Sequence, residues 1–311
     1  MPDLDHQISS NRRRSGLLFV GFFLIYAVMA IGVSLWAGGW PAGNSFALII
    51  IFFLIAGAIV VFTFTMGDDM AVMLAKAKQV EKSEQAPELW NAVEAMAIAS
   101  GQPMPRVYIS PDPSPNAFAA GRSKKQALVC VNQGLLDLLD KDELEAVVAH
   151  EMAHIRNMDV RLMTYAAVLA GGIALISEAI IYMTWFSGGG KGGAGGSIIS
   201  MVIVLISALL APLAAAMIQM SISRRREFLA DASAIEMTKY PAALISALRR
   251  LEASHVTSTT GSKATAHLCI VAPLFGKGKA SKLFSTHPPI EERIAALEAL
   301  GAGSEHQRRQ V

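Results

Sequence analysis

The sequence predicts a mainly helical membrane protein, with four transmembrane helices in two hairpins and a cytoplasmic α+β domain that carries a small sheet. Three observations predict this class. Hydrophobic residues make up 53% of the chain and charged residues 17%, against about 25% charged in an average soluble domain. The apolar residues are concentrated in four long runs. The segments outside these runs are charged and mix helical and strand-like patterns.

The first predicted hairpin comprises residues 16–66. Its two runs, 16–37 and 45–66, carry no charge, and each is long enough to cross a bilayer. The first run is longer than the roughly 7 to 15 apolar residues of a cleavable signal peptide. Lys and Arg mark the cytoplasmic side of membrane proteins. The loop between the runs has neither residue, whereas the two flanks carry Arg12, Arg13, Arg14, Lys76, Lys78 and Lys82.

The second predicted hairpin comprises residues 162–221, with spans at 162–186 and 198–221 and a Gly-rich linker between them. Glu178 lies inside the third span. A charged side chain facing lipid there costs about 2.5 to 3.5 kcal/mol, so we expect it to face other helices, water or an interface. Two interpretations stay open for Glu178: a protonated, inward-facing side chain without a special role, or a role in gating or substrate handling.

The two hairpins divide the rest of the chain into four segments. A polar N-terminal segment precedes the first span and is predicted to be cytoplasmic. Two segments form the two parts of one α+β domain, and a short polar tail is predicted to be disordered. In chain order these segments are 1–15, 67–161, 222–301 and 302–311.

The first part of this domain is predicted to contain two helices and three short strands ahead of a third helix. One helix includes Lys76 to Lys82, and the next is Pro87–Ser100, which stops at a glycine. The strands are rich in β-branched, aromatic and small residues and comprise Arg106–Ser110, Asn116–Ala120 and Ala127–Asn132. One edge of such a sheet can offer free backbone groups to an extended peptide. Alternatively, the strands only complete a core, and periodicity alone does not decide between these interpretations.

Residues 150–154 read His-Glu-Met-Ala-His on a predicted helix without Gly or Pro. Asp140 and Glu143 have the spacing of a capping box at its start. His150 and His154 stand one turn apart on one face, so both imidazoles can reach one metal ion. Glu151 can take a proton from a water at the same place. The alternative is an amphipathic helix with two incidental histidines.

A catalytic zinc site has three protein ligands and one open position, and this motif supplies two ligands. Glu227 is the best candidate for the third, because it lies where the chain returns from the fourth span, with Asp231 one turn on to bond a ligand imidazole. Alternatively, both acids form exposed pairs with neighbouring arginines. Other candidate ligands are the loop histidines His255, His267 and His287. Chemistry alone favours Glu227 over them.

The ordered set of motifs resembles the HtpX-type integral-membrane zinc metallopeptidases, relatives of the CAAX prenyl-protein endopeptidases. The resemblance extends over nearly the whole chain. It is carried by Asn116-Ala-Phe-Ala119, His150-Glu-Met-Ala-His154, Arg224-Arg-Arg-Glu-Phe-Leu-Ala-Asp231, and Thr286-His-Pro-Pro289 followed by Glu292-Arg-Ile294. Ala120 departs from the hydroxyl residue that we expect in relatives.

The resemblance implies a zincin-like catalytic domain and a role for each matching residue. One Zn²⁺ ion per chain would be held by His150, His154 and Glu227, with Glu151 as the general base. Asp231 would support a ligand, and His287 would steady the oxyanion. An edge strand would pair with the substrate through Asn116, Ala117, Phe118 and Ala119.

The predicted function is hydrolysis of peptide bonds in misfolded or misassembled membrane proteins, at the cytoplasmic face of a bacterial inner membrane. Quality control under stress follows from the resemblance, whereas the residues alone predict peptide hydrolysis. The expected partners are polypeptide substrates and the lipid bilayer. A net charge of +2 without a long basic run argues against nucleic acid. The sequence does not determine the oligomeric state.

Two alternative functions remain. A prenyl-protein processing protease would use the same zinc chemistry, although we expect more spans around an enclosed chamber in such an enzyme. A membrane scaffold or transporter would explain four spans and Glu178 but not the ordered ligands. Cys130 and Cys269 lie far apart in sequence and outside any C-x-x-C pair, so they do not indicate a disulfide.

Overall fold

The computed structural model describes residues 13, 17, 20–27, 43–165, 224–254, 256 and 288–308. Several predictions from the sequence lie outside these residues. They include most of the first span, nearly all of the second hairpin, and Glu178. His255, His267 and His287 lie outside them as well.

The chain divides into two compact units. One contains residues 12–66 and 165–221, and the other contains residues 1–11, 67–164 and 222–311. In the first unit, residues 20–27 are helical, and helix α1 (Gly43–Leu74) encloses the predicted span 45–66 before it enters the second unit. Within the part of the chain that the structure describes, no helix is long and apolar enough to cross a membrane. The four spans therefore remain a prediction.

The second unit contains a small sheet and the helices that surround the histidine motif. After α1, the described α-helices are α2 Pro87–Ser100, α3 Gln133–Leu138, α4 Lys141–Arg156, α5 Arg224–Thr238, α6 Pro241–Ala253 and α7 Ile290–Arg308. The strands are β1 Lys78–Val80, β2 Arg106–Ser110, β3 Ala117–Ala120 and β4 Leu128–Asn132. Short 3₁₀ turns lie at Ser83–Gln85 and Lys124–Gln126. This unit confirms an α+β domain with a small mixed sheet.

The four strands form one sheet in the order β1-β2-β4-β3. The β2–β4 pair is parallel, and the β1–β2 and β3–β4 pairs are antiparallel. Among the described strands, β3 is therefore an edge strand. The turn from β3 to β4 requires Gly121, whose φ is 145° and where a Cβ atom would lie 2.7 Å from the Cα of Ala127. The three strands predicted from sequence are confirmed within one residue at each end.

Helix α4 lies at the centre of the unit. It packs against α2, α5, α6 and β3, and twelve of its sixteen residues, from Glu143 to Ile155, are buried. The core continues from Leu89 and Val93 on α2, through the sheet, to Leu297 on α7. The histidine motif is thus placed inside the core, where its side chains are shielded from water.

Helix α4 ends at Arg156, past His154, and a break with Met158 at φ 60° precedes the helical residues 159–165. Two local predictions were wrong. The segment containing Lys78 is strand β1, because Lys76 takes a left-handed φ of 49° that ends α1, and the chain then pairs with β2. The final helix continues to Arg308 into the predicted disordered tail 302–311, where Ala, Glu, Gln and Arg favour helix.

Candidate metal centre

The start of α4 is defined by the predicted capping box. The Asp140 side chain accepts a hydrogen bond from the Glu143 backbone N–H at 3.0 Å, and the Glu143 side chain accepts one from the Asp140 N–H at 3.0 Å. Glu143 is 2% exposed and also accepts a 2.6 Å hydrogen bond from Ser246 on α6. Such a cap contributes about 1 kcal/mol and, with the contact to α6, sets where the two histidines fall on the helix.

His150 and His154 lie one turn apart on α4 and turn their rings towards each other. Their Nε2 atoms are 3.2 Å apart, and the rings are nearly perpendicular at 89°. Both side chains are almost completely buried. Two imidazole nitrogens that meet in this way are positioned to bind one small cation.

Glu227 approaches the two histidines from α5. Its carboxylate oxygens lie 3.7 Å from His150 Nε2 and 3.6 Å from His154 Nε2, and its side chain is 1% exposed. Ligands about 2.0 to 2.1 Å from a tetrahedral ion are separated from one another by about 3.4 Å. The three measured separations bracket this value, so the donor set matches the size of a transition-metal site. Among the described residues, this is the set that could hold a metal ion.

A carboxylate holds the other ring nitrogen of each histidine. His150 Nδ1 lies 2.9 Å from Asp231 Oδ1, and His154 Nδ1 lies 3.3 Å from Asp159 Oδ2. An ionised carboxylate only accepts hydrogen bonds, so each Nδ1 carries a proton and donates. In the neutral imidazoles, each Nε2 then carries a lone pair.

The centre thus brings together three electron-pair donors that have no proton between them. Two Nε2 lone pairs and the Glu227 carboxylate converge in a buried space, and the arrangement is stable only if a cation or a proton neutralises it. Without a metal, the proton is the substitute. Burial acts to lower the pKa of His154, but the hydrogen bond to Asp159 and the charges of Glu227, Asp159 and Glu151 outweigh it and raise the pKa to about 9.

Asp231 is held on its far side by Arg293 from α7. The Asp231 oxygens accept two hydrogen bonds from Arg293, at 2.6 and 2.9 Å, and Arg293 is completely buried. Burial acts to raise the pKa of Asp231, but the Arg293 charge and the hydrogen bonds from His150 and Arg293 lower it to about 2. Asp231 therefore stays ionised and keeps accepting from His150 at any physiological pH.

Glu151 follows His150 on α4 and is 3% exposed. Its charge contributes to the raised pKa values of His154 and Arg293, which places its carboxylate close to the centre. It is not among the three converging ligand groups. Glu151 is therefore a buried carboxylate beside the three ligand groups and not one of them.

The structure brings most of the predicted site residues together. His150, His154 and Glu227 surround one point, and Asp231 holds His150 from behind. The burial of Glu227 and Asp231 excludes the alternative of exposed pairs with arginines. Strand β3, which contains Ala117, Phe118 and Ala119, packs against α4, and Asn116 directly precedes it. His287 lies outside the described residues, as do the alternative ligands His255 and His267.

Sequence reasoning missed three residues around the centre. Arg293 lies within the Glu292–Ile294 motif but had no assigned role, and no signal in the sequence showed that it pairs with Asp231. Asp159 lies five residues after His154 and contacts it only because the helix breaks at Asn157 and Met158. Arg226 lies within the Arg224–Asp231 motif but had no assigned role; it is 9% exposed and faces Asp159. A carboxylate shortly after the second histidine was the one available signal.

A helix with the H-E-x-x-H pattern, joined by a carboxylate from a second helix, defines a metal-dependent hydrolase. The chain belongs to peptidase family M48: the model of "Peptidase family M48" matches residues 83–300. It is thus a metallopeptidase, which confirms the predicted enzyme and excludes the alternative of a non-enzymatic scaffold or transporter.

Similar proteins extend this result over the whole chain. It is 39% identical to "Protease HtpX homolog" of Lactobacillus helveticus over 96% of this chain and 100% of that protein. It is 40% identical to the protein of the same name from Listeria monocytogenes, over 95% of this chain and 99% of that protein. The "Protease HtpX homolog" of Tropheryma whipplei is 43% identical, over 91% of this chain and 96% of that protein. The predicted HtpX-type resemblance is confirmed.

A solved structure of S. mikatae Ste24p is also similar, with a TM-score of 0.43 and 20% identity. The match covers 91% of this chain and 62% of the Ste24p chain.

Proposed function

We propose that the protein is a zinc-dependent endopeptidase of a bacterial inner membrane, which cleaves misfolded or misassembled membrane proteins on the cytoplasmic side. The observation that supports it best is the convergence of His150 Nε2, His154 Nε2 and a Glu227 carboxylate oxygen within 4.8 Å. Two imidazoles and one carboxylate form a donor set of catalytic zinc sites, which leave a fourth position open.

Within this proposal, each residue at the centre has a distinct task. Bound zinc would supply Lewis acidity, which polarises a scissile carbonyl and makes water more acidic. The Glu151 carboxylate takes a proton from the attacking water and later donates it to the departing amine. Asp231 and Arg293 hold the His150 ring in one tautomer. His287 is proposed to steady the oxyanion.

Strand β3 is the proposed binding edge for an extended substrate. The Asn132 N–H donates to the Asn116 carbonyl at 2.9 Å, so Asn116, Phe118 and Ala120 direct their backbone groups to β4, and Ala117 and Ala119 direct theirs outwards. The Ala117 N–H is taken by the Asn116 side chain at 3.1 Å. The outward groups of Ala119 are therefore the best candidates for pairing with a substrate.

The burial of β3 also supports the alternative that it completes the core. All four of its residues are at most 3% exposed. These fractions include the backbone atoms, so the two interpretations are compatible if the side chains fill the core and the backbone edge becomes accessible when substrate binds. Peptide substrates with single backbone N-methyl groups test this proposal. We expect KM to rise, with kcat held, at alternate positions only. A uniform effect at successive positions would contradict strand pairing.

The cytoplasmic orientation is supported by the charges around the first predicted hairpin, where Arg12 to Arg14 and the lysines after Met66 lie on one side. Reporter fusions at residues 13, 41 and 192 test it. Cytoplasmic signal at 13 and external signal at 41 and 192 are expected. Cytoplasmic signal at 192 would exclude a crossing second hairpin.

The substrate class is tested with the full chain reconstituted in liposomes. We expect it to cleave a destabilised membrane protein and a loosely folded soluble protein such as casein, and to leave a stable folded membrane protein intact. Equal cleavage of the stable and the destabilised membrane protein would contradict a quality-control function.

The catalytic assignment is tested by comparing two variants at the centre. Glu151→Gln keeps the shape of the side chain but removes its basicity, so bound zinc is expected to remain while cleavage of casein is lost. Glu227→Ala is expected to lose zinc as well. Glu145→Gln, a partly exposed position on the same helix, is the matched control. Full activity of Glu151→Gln, or unchanged zinc content of Glu227→Ala, would contradict the mechanism.

A further inference from the structure

Asp159 is a buried acid that reaches His154 across a break in the chain. Helix α4 ends at Arg156, and Met158 takes a left-handed φ of 60° before helical residues begin again at 159. The break turns Asp159, which is 1% exposed, so that its Oδ2 lies 3.3 Å from His154 Nδ1. In an uninterrupted helix, residues five apart would lie about 140° apart around the axis, on different faces. The contact therefore depends on the break.

Arg226 faces the other oxygen of Asp159. Its Nη1 lies 3.5 Å from Asp159 Oδ1, and the side chain is 11% exposed. Arg226 is the residue immediately before Glu227 on α5. One helix thus carries both the carboxylate that approaches the two histidines and the cation that faces the Asp159 carboxylate.

We propose that Asp159 and Arg226 act as a positioning pair for His154, which together set the orientation and tautomer of its ring for metal binding. Asp159 keeps the proton on Nδ1, so that Nε2 turns its lone pair towards His150 and Glu227. Arg226 orients the Asp159 carboxylate from its other oxygen. The inference rests on the proposed metal-binding role of His154 and Glu227. Neither residue belongs to the three groups that converge on the proposed ligand point, and Asp159 reaches His154 on the ring nitrogen that faces away from it, so the pair acts through His154.

A merely structural ion pair predicts a different result. Such a pair would change the unfolding of the protein and leave the zinc affinity of the folded molecules unchanged. The positioning role predicts a loss of zinc affinity under conditions where the variant is fully folded. Partners that orient metal-bound histidines typically contribute about 10- to 100-fold to metal affinity.

The experiment measures the dissociation constant of Zn²⁺ for the full chain in detergent micelles, by competition with a chromophoric chelator. Circular dichroism on the metal-free protein checks that each variant is folded at the temperature used. We expect Asp159→Asn to weaken zinc binding about tenfold or more. Asp137→Asn, the same change at an exposed acid on α3, is the matched control and is expected to bind as the wild type does.

Variants of Arg226 provide a second test of the positioning pair, which applies even if Asp159→Asn does not fold. We expect Arg226→Gln to weaken zinc binding several-fold and Arg226→Lys to recover most of that loss. The double variant Asp159→Asn/Arg226→Gln is expected to bind no more weakly than Asp159→Asn alone, because both changes interrupt one support. Affinities within twofold of the wild type in folded single variants, or fully additive losses, would overturn the inference. Absence of zinc binding in the wild type would instead overturn the proposed function.

Discussion

Each of the two histidines of the centre is supported by a carboxylate and an arginine, but the contact distances on the two sides differ. On the His150 side, Asp231 lies 2.9 Å from Nδ1 and is held by two Arg293 hydrogen bonds of 2.6 and 2.9 Å. On the His154 side, Asp159 lies 3.3 Å from Nδ1 and 3.5 Å from Arg226. Charge-assisted hydrogen bonds of this kind are strongest near 2.7 to 2.9 Å. We infer that the His150 support contributes more free energy, although both define a ring orientation.

The difference follows from how each support is built. Asp231 lies four residues after Glu227 on one continuous helix, so its position follows from helical geometry. Asp159 depends on one residue in a left-handed conformation. In both supports the arginine comes from another helix, so the break is what distinguishes the His154 side. A continuous helix allows tight contacts, whereas a support assembled across a helix break is looser.

Asp231→Ala is expected to have the largest effect, because it leaves the Arg293 guanidinium buried without its carboxylate. Leaving one member of a buried pair uncompensated costs about 3 to 5 kcal/mol. Urea unfolding of the metal-free protein measures this cost, and zinc content measures the loss of His150 support. Asp137→Asn serves as the control. A loss of unfolding free energy below about 1 kcal/mol in Asp231→Ala would contradict a strong support on the His150 side.

Arg293→Met is expected to have a smaller effect of about 2 kcal/mol, because Asp231 keeps His150 as a partner. It also changes the pH dependence of stability. In the wild type, the pKa of Asp231 is lowered from 3.8 to about 2, so its contribution is present above pH 3.8 and is lost as the pH falls through about 2.

Without Arg293 the pKa of Asp231 rises, and the contribution is lost at a higher pH. Acid unfolding of the metal-free protein, followed by circular dichroism, measures this shift. Arg249→Met, at an exposed arginine on α6, is the control and is expected to leave the midpoint pH of acid unfolding unchanged. If the wild type and Arg293→Met unfolded in acid at the same midpoint pH, the role of Arg293 in holding Asp231 ionised would be contradicted.

Met158 tests the helix break on the His154 side. Met158→Ile places a β-branched residue at a left-handed φ and is expected to cost about 1 to 2 kcal/mol and to weaken zinc binding by displacing Asp159. Met158→Gly suits this backbone conformation and is expected to stay within about 1 kcal/mol of the wild type. Thermal unfolding and chelator competition measure both variants. Equal behaviour of the two would show that the break does not position Asp159.

The exposed pair between Arg249 and Glu298, at 2.9 Å, is expected to contribute least. Solvent-exposed ion pairs contribute about 0 to 1 kcal/mol, so Glu298→Gln is expected to change the unfolding midpoint little and zinc affinity not at all. Urea unfolding measures the change. If Glu298→Gln weakened zinc binding as much as Asp159→Asn does, the Asp159–Arg226 pair would have no more influence on the metal centre than an exposed ion pair.

Local pattern was sufficient for much of the centre. The capping box at Asp140, the helix with His150 and His154, and the approach of Glu227 could all be predicted, because each depends on residues three or four apart or on the known requirements of a metal. Strands β2, β3 and β4 could be predicted from β-branched, aromatic and small residues, whereas β1 could not. The order of the sheet could not, since it depends on which strands meet after the chain has folded.

By itself, the sequence determined the groups of the centre: two imidazoles on one helix face, the Glu151 carboxylate next to the first of them, and a carboxylate with its partner on a second helix. These features follow from helical periodicity, which acts over a single turn. Only the tertiary structure decided which groups hold the histidines from behind. Asp159 reaches His154 through a break in the helix, and Arg293 reaches Asp231 from sixty-two residues away. Contacts of this kind depend on packing between elements, which no local spacing encodes.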